Sequence, residues 1–199
     1  MNLTAITDSK EIEIKHFLDS LTPIKTGLIE NGMKIADVGT GAGFPGIPIK
    51  IAQRDISLTL IDSLEKRVNF LKTVCRELEL DKTDCIHKRA EEAGHDDGLR
   101  ESFDVVLSRA VAPLSVILEY CLPLASVGGH VLLLKGPTVY DEASACRGAA
   151  ELLGGKIEKI EDFTLPGDIC HSIVIVKKIS QTPTKYPRKP GKPSKSPLK

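Results

Sequence analysis

Apolar and polar positions alternate along this chain in two rhythms. Ile12, His16, Leu18 and Leu21 recur at helical spacing over Glu11–Leu21, and Pro23 is expected to end that helix. Met33–Val38 is apolar and runs straight into a glycine-rich turn, which predicts a first strand. Helical periodicity returns over Gly46–Gln53, and Leu58–Asp62 reads as a second strand between Ser57 and Ser63. Leu64, Val68, Leu71, Cys75 and Leu78 form one apolar stripe, so Leu64–Leu80 is predicted helical with Ser63 at its N-cap. Cys85–Lys88, Phe103–Ser108 and His130–Lys135 are the next strands. Helices fall at Leu114–Leu124 and Val139–Leu153; Gly128-Gly129 is expected to break the chain between elements, and Gly154-Gly155 to end the last helix. Lys156–Leu165 and His171–Lys178 are two strands joined by Pro166-Gly167-Asp168.

Strands alternating with helices imply right-handed crossovers and a parallel sheet covered on both faces. The last two strands have no helix between them, so they should pair antiparallel at one edge. The expected fold class is α/β, a mostly parallel seven-stranded sheet with an antiparallel C-terminal edge hairpin, as in class I Rossmann-like methyltransferases. Three regions follow: a helical lead-in over 1–32, the α/β domain over 33–180, and a basic, proline-rich tail over 181–199. The tail from Tyr186 lacks apolar periodicity and is expected to be extended or disordered when free.

Composition changes this picture mainly through charge. The chain of 199 residues is neutral overall, yet residues 185–199 carry six basic groups and no acidic one, leaving 21 basic and 27 acidic groups, a net of −6, on the rest. An acidic body with a basic tail suggests that the tail meets a polyanion. No apolar run approaches the roughly 20 residues of a membrane-spanning helix. The 5 cysteines are widely spaced without a CxxC pair, and the 5 histidines show no metal-ligand spacing, so reduced thiols and no metal are expected.

The candidate chemistry sits in Asp37-Val-Gly39-Thr-Gly41-Ala-Gly43-Phe44-Pro-Gly46, between a strand and a helix. Glycines there let a ligand approach the backbone closely. Gly41-x-Gly43-x-x-Gly46 also fits a dinucleotide fingerprint. Asp37 is the discriminator, because a carboxylate at the mouth of the loop repels a pyrophosphate and favours a ligand carrying an amino group and a sulfonium. Pro45 and Pro48 also remove amide donors that a phosphate would want. Asp62, about 20 residues on at the end of the second strand, is placed to accept from both ribose hydroxyls, or to cap the following helix. Ala90-Glu91 follows the third strand and suits an adenine, although an exposed loop charge reads the same. Arg109, after the fourth strand, is placed to hold a phosphate or stack on a base, and Lys135 after the fifth to meet RNA phosphate.

The residues then become specific. NLTAI at Asn2–Ile6, DVGTGAGFPGIP at Asp37–Pro48, DSLEKRVNFL at Asp62–Leu71, RAE at Arg89–Glu91, SRAVA at Ser108–Ala112, LLLKG at Leu132–Gly136 and YPRKPGKPSKSPL at Tyr186–Leu198 closely resemble the RsmG family, also called glucose-inhibited division protein B. The resemblance covers essentially the whole chain. It implies a cytoplasmic S-adenosyl-L-methionine-dependent methyltransferase that modifies N7 of a guanine in small-subunit ribosomal RNA. It also implies cofactor contacts at Gly39, Phe44, Asp62, Ser63, Leu64, Ala90, Glu91 and Arg109. Two departures stand out: members carry a helical segment ahead of NLTAI, where Met1 stands here, and His171 occupies a position where an arginine is expected.

Guanine N7 offers an in-plane lone pair and no proton, so no catalytic acid or base is expected. Arg109 is expected to position the substrate, while Lys135, Arg188, Lys189, Lys192 and Lys195 bind RNA backbone. The partner is the RNA or the small ribosomal subunit, with no membrane and a monomeric enzyme. Rival readings are a methyltransferase for a small molecule or protein, with a dispensable tail, and a non-catalytic RNA-binding module without cofactor affinity.

Overall fold

A computed structural model describes residues 9–109, 112–136 and 139–198. The NLTAI lead-in, Ala110-Val111 and Pro137 therefore lie outside the described residues. The strands are β1 (Lys34–Val38), β2 (Ser57–Asp62), β3 (Thr83–His87), β4 (Phe103–Arg109), β5 (Ala125–Lys135), β6 (Gly155–Leu165) and β7 (Ile169–Lys178). They form one seven-stranded sheet in the order β3-β2-β1-β4-β5-β7-β6. The first five pair in parallel, and β7 runs antiparallel to both β5 and β6. The mostly parallel sheet with an antiparallel C-terminal edge, expected from the order of elements, is the one observed. The chain leaves β1 toward β2 and β3 on one side, then returns to place β4 and β5 on the other. The carboxyl end of β1 is therefore the topological switch point where ligand clefts form.

Both faces of the sheet are buried, as its uninterrupted apolar strands require. Ile35, Leu58, Leu60, Val105 and Leu107 pack on one face against Ile47 and Ile49 of α3 (Gly46–Ala52) and Leu71 of α4 (Glu65–Glu77). Ala36, Val38, Val106, Val131 and Leu133 pack on the other against Leu114, Ile117, Leu118 and Cys121 of α6 (Leu114–Cys121). A short helix, α5 (Ala90–Ala93), follows β3 on this second face, with Ala93 in the same cluster.

Several elements differ from expectation for physical reasons. The first helix does not stop at Pro23. It runs as α1 (Ser9–Ile12), a π-helical stretch (Glu13–Leu18) and α2 (Asp19–Lys25) with Pro23 inside. Proline cannot donate to the carbonyl of Asp19, and the Thr22 hydroxyl donates there instead at 2.7 Å. Ser63 is not the cap of α4: Leu64 occupies that position without a side-chain cap, and its amide donates to Asp62 Oδ1 at 2.9 Å. Gly128-Gly129 lies inside β5, within an irregularity of the β4–β5 register, rather than before it. A Cβ on Gly129 would stand 2.6 Å from the Asp104 carbonyl, so glycine permits the kink instead of ending the strand. The helix expected over Val139–Leu153 is two, α7 (Val139–Ala145) and α8 (Arg147–Leu152), broken at Cys146.

The largest correction concerns the tail, which is neither extended nor detached. Tyr186 is 7 % exposed and belongs to the core cluster under α6. Arg100 donates to the carbonyls of Thr182 at 2.6 Å and Tyr186 at 2.9 Å. Arg188 grips the fully buried Glu119 of α6 as a fork, Nε to Oε1 at 2.9 Å and Nη2 to Oε2 at 2.7 Å. A final short helix, α9 (Lys192–Lys195), follows with Pro193 buried. One aromatic ring, a buried proline, one ion pair and two carbonyls held by Arg100 provide this anchorage, and none of them produces a periodicity.

Candidate active site

Asp37 is the penultimate residue of β1, paired with β2 and β4 on both sides, and its carboxylate turns under the glycine loop. Oδ2 accepts from the Thr40 hydroxyl at 2.7 Å and the Gly46 amide at 2.9 Å. The side chain is fully buried, so the sequence reading that set it at the mouth of the loop is corrected: Asp37 ties the loop down from below. Burial pushes its carboxyl up to about 6 against these two hydrogen bonds, and Oδ1 is left without a hydrogen-bond partner. Gly46 is obligatory here, since a Cβ would stand 2.9 Å from Asp37 Oδ2 and 2.8 Å from Leu60. Gly43, at φ 98°, is closed in by Ile47 and Leu71. Gly41, at φ 62°, faces open space, which is the approach a ligand needs.

A polar cleft of about 230 Å³ opens beside this loop, lined by Gly39, Asp62, Ser63, Ala90 and Glu91 among the residues singled out from sequence. Asp62 is nearly buried and accepts from the Gly41 amide at 3.0 Å, so it joins the ends of β1 and β2 across the cleft floor. Arg67 stands 3.5 Å from the same oxygen. Glu91 is also nearly buried, on α5. Leu64 contributes an amide to Asp62, while its side chain is half-exposed. Sequence reasoning missed the rest of the lining, which includes Lys88 and Arg89, Tyr120 of α6, and Gly191 and Ser194 of the tail. Tyr120 belongs to a helix that reads as apolar, and the tail residues were assigned to a free segment.

A second, more apolar cleft of about 510 Å³ meets the first at Gly39. Phe44 is among its lining residues. The Arg109 guanidinium lies 5.1 Å from the Phe44 ring centroid, His16 stacks on the ring at 5.2 Å, and Phe17 meets it edge-on at 5.3 Å. His16 and Phe17 are consecutive residues of the π-helical stretch, and both reach this ring. Arg109 is fixed by Asp19, Nη1 to Oδ2 at 2.8 Å. Asp19 is shared, because His171 Nδ1 lies 3.0 Å from its other oxygen and His171 Nε2 lies 3.0 Å from Thr22 Oγ1. His171 is thus buried against the first helix and stacked on Phe163, and burial lowers its basicity.

The basic side chains divide into two groups. Lys135 turns inward, to the Ala112 carbonyl at 3.1 Å and Glu142 at 3.1 Å, and Arg188 is held by Glu119. Lys189, Lys192 and Lys195 are exposed. Among the described residues, no group of three His, Cys, Asp or Glu is placed for a metal, and no helix is long and apolar enough to cross a membrane.

A parallel sheet with β7 inserted antiparallel beside β5, and a cleft at its switch point floored by an acid at the end of β2, define a class. The chain has the fold of Rossmann-like S-adenosylmethionine-dependent methyltransferases. It superposes on a crystal structure of a SAM dependent methyltransferase from Aquifex aeolicus with a TM-score of 0.62 over 85 % of this chain and 93 % of that one, at 18 % identity, a likeness of fold alone. Residues 1–170 match the family described as rRNA small subunit methyltransferase G, and the chain belongs to that family. It is 51 % identical to the Ribosomal RNA small subunit methyltransferase G of Alkaliphilus metalliredigens and 49 % identical to that of Lactobacillus johnsonii, in each case over 100 % of this chain and 84 % of the relative.

Proposed function

We propose that this protein transfers a methyl group from S-adenosyl-L-methionine to N7 of a guanine in small-subunit (16S) ribosomal RNA. The observation that carries the reading is the junction of two unlike clefts at Gly39: a polar one with Asp62 and Glu91, and an aromatic one with Phe44 and Arg109. The names of its relatives supply the RNA. The residues fit the cofactor, because Gly41 leaves open space at the loop and two nearly buried carboxylates face the cleft. Asp62 would hold the ribose hydroxyls, Ala90 and Glu91 the adenine, and the loop from Gly39 to Phe44 the methionine end, with Ser63 and Leu64 bordering the nucleoside. The cofactor supplies an electrophilic methyl on a sulfonium.

Guanine N7 presents a lone pair without a proton, so the protein's task is alignment and exclusion of water rather than acid–base chemistry. Phe44 and the Arg109 guanidinium present a ring face and a planar cation to an unstacked base. Lys189, Lys192 and Lys195 would meet RNA backbone. We place the enzyme in the cytoplasm, acting as a monomer.

Incubation with labelled S-adenosylmethionine and transcribed small-subunit ribosomal RNA or isolated small subunits tests this. Label in the RNA together with a new site of borohydride- and aniline-induced strand cleavage, the signature of N7-methylguanine, is expected. Label without such cleavage would overturn the N7 assignment, and no label on either substrate would overturn the RNA reading.

A further inference from the structure

The basic tail and the cofactor cleft are one structure. Gly191 and Ser194 line the polar cleft opposite Asp62 and Ala90, and both are tied to residues that also line it. The Gly191 amide donates to Glu91 Oε1 at 3.0 Å, and Ser194 Oγ lies 3.3 Å from the Tyr120 hydroxyl. Just upstream, the tail is riveted by the Arg188–Glu119 fork, by Tyr186 in the core and by Pro187, whose carbonyl lies 2.7 Å from His95 Nε2. Between this rivet and Leu198, which packs against the core, α9 is held through Gly191, Ser194 and the buried Pro193, and it carries Lys192 and Lys195 outward. One side of this short segment therefore faces the cofactor cleft, and the other presents cations to solvent.

We propose that Gly191–Ser194 is a movable outer wall of the cofactor cleft, and that RNA phosphates bound by Lys192 and Lys195 press it closed, so that RNA and cofactor tighten each other's binding. The proposal rests on the cofactor reading of the cleft. Its logic is linkage. Glu91 has one carboxylate oxygen on the wall and stands in the cleft, so a cofactor that fills the cleft braces the wall from inside. RNA on α9 braces the same wall from outside. Each ligand spares the other the cost of ordering the segment, and the coupling is reciprocal. Glycine is required at 191 by its φ of 79°, with nothing within 4 Å of the missing Cβ. Gly191→Ala therefore strains the backbone at the wall without a clash elsewhere.

The test uses the full chain with S-adenosylhomocysteine as probe. Hydrogen exchange at the amides of 191–196 is expected to slow when the probe binds. Gly191→Ala is expected to weaken the probe about tenfold while the melting temperature of the unliganded protein falls by only a few degrees. Added small-subunit ribosomal RNA should tighten the probe severalfold in wild type, and Lys192→Ala/Lys195→Ala should abolish that gain. If wild type binds the probe but exchange at 191–196 does not change and Gly191→Ala binds as well as wild type, the wall is overturned while the cofactor reading stands. RNA that binds without changing probe affinity overturns the coupling. A wild-type protein that binds neither S-adenosylmethionine nor S-adenosylhomocysteine overturns the proposed function itself.

Discussion

Asp37 shows how far a single residue can be read and where reading stops. An acid two positions before a glycine loop is visible in the sequence as a discriminator between ligands, but its depth is not. Depth depends on β2 and β4 closing on both sides of β1, which is a property of the sheet. The consequence is measurable. Burial raises the Asp37 carboxyl from 3.8 to about 6, so the folded protein binds that proton more tightly than the unfolded chain does. The stabilisation this gives is complete below the unfolded value and is lost as pH rises through about 6. Asp37→Asn removes the titration, and the fall in stability between pH 4 and 7 should shrink by on the order of 3 kcal/mol. Urea midpoints at both pH values check this; an identical fall in the two proteins would count against a raised Asp37. The position of Arg109 at the sheet edge was legible because a buried strand ends there, but its partners were not. Phe44 and Asp19 come from elements far apart in the chain. Arg109→Lys keeps the charge and loses the planar fork, so kcat/KM on ribosomal RNA should fall roughly tenfold or more with little change in melting temperature. Wild-type turnover in that variant would show that the shape of the guanidinium is irrelevant.

Elements were legible where a period of two or of 3.6 repeats for more than about two turns or four strand positions. β1, β2, β4, α3 and α4 fall within one or a few residues of their expected bounds. The failures come where a local rule met a compensating side chain. Pro23 should end a helix, yet Thr22 takes over the carbonyl it abandons. Gly128-Gly129 should break the chain between elements, yet it lies inside β5 and the register slips around it. The tail should be free, yet its arginine finds a buried carboxylate on α6. That last contact carries a sharp expectation. Glu119 is fully buried, and removing its partner leaves an uncompensated charge in the core. Arg188→Met should cost about 3–5 kcal/mol in urea denaturation, whereas Glu119→Met/Arg188→Met should recover most of it. A single variant as stable as wild type would mean that the tail is not anchored there.

At the scale of the whole molecule the informative feature is separation of charge: six basic groups over 185–199 against a net of −6 elsewhere. That separation is visible in composition, but which cations are available is decided only by folding. Arg188 is spent inside, Lys135 is paired with Glu142, and Lys189, Lys192 and Lys195 project from the folded-back tail. If these lysines engage phosphate, each releases counterions in proportion to the charge it neutralises, at a slope of about −0.7 per contact on single-stranded RNA. Replacing all three by alanine should therefore reduce the slope of log K against log salt by about 2. Lys135→Ala should leave the slope nearly unchanged, because its charge is already met by Glu142 at 3.1 Å. Titrations of small-subunit ribosomal RNA across a range of salt concentrations separate the two cases. An unchanged slope in the triple variant would remove the tail from the RNA-binding surface and return its lysines to solvation alone. A drop of the expected size would put the RNA on the outer side of the segment whose inner side lines the cleft beside the glycine loop, as the proposed coupling requires.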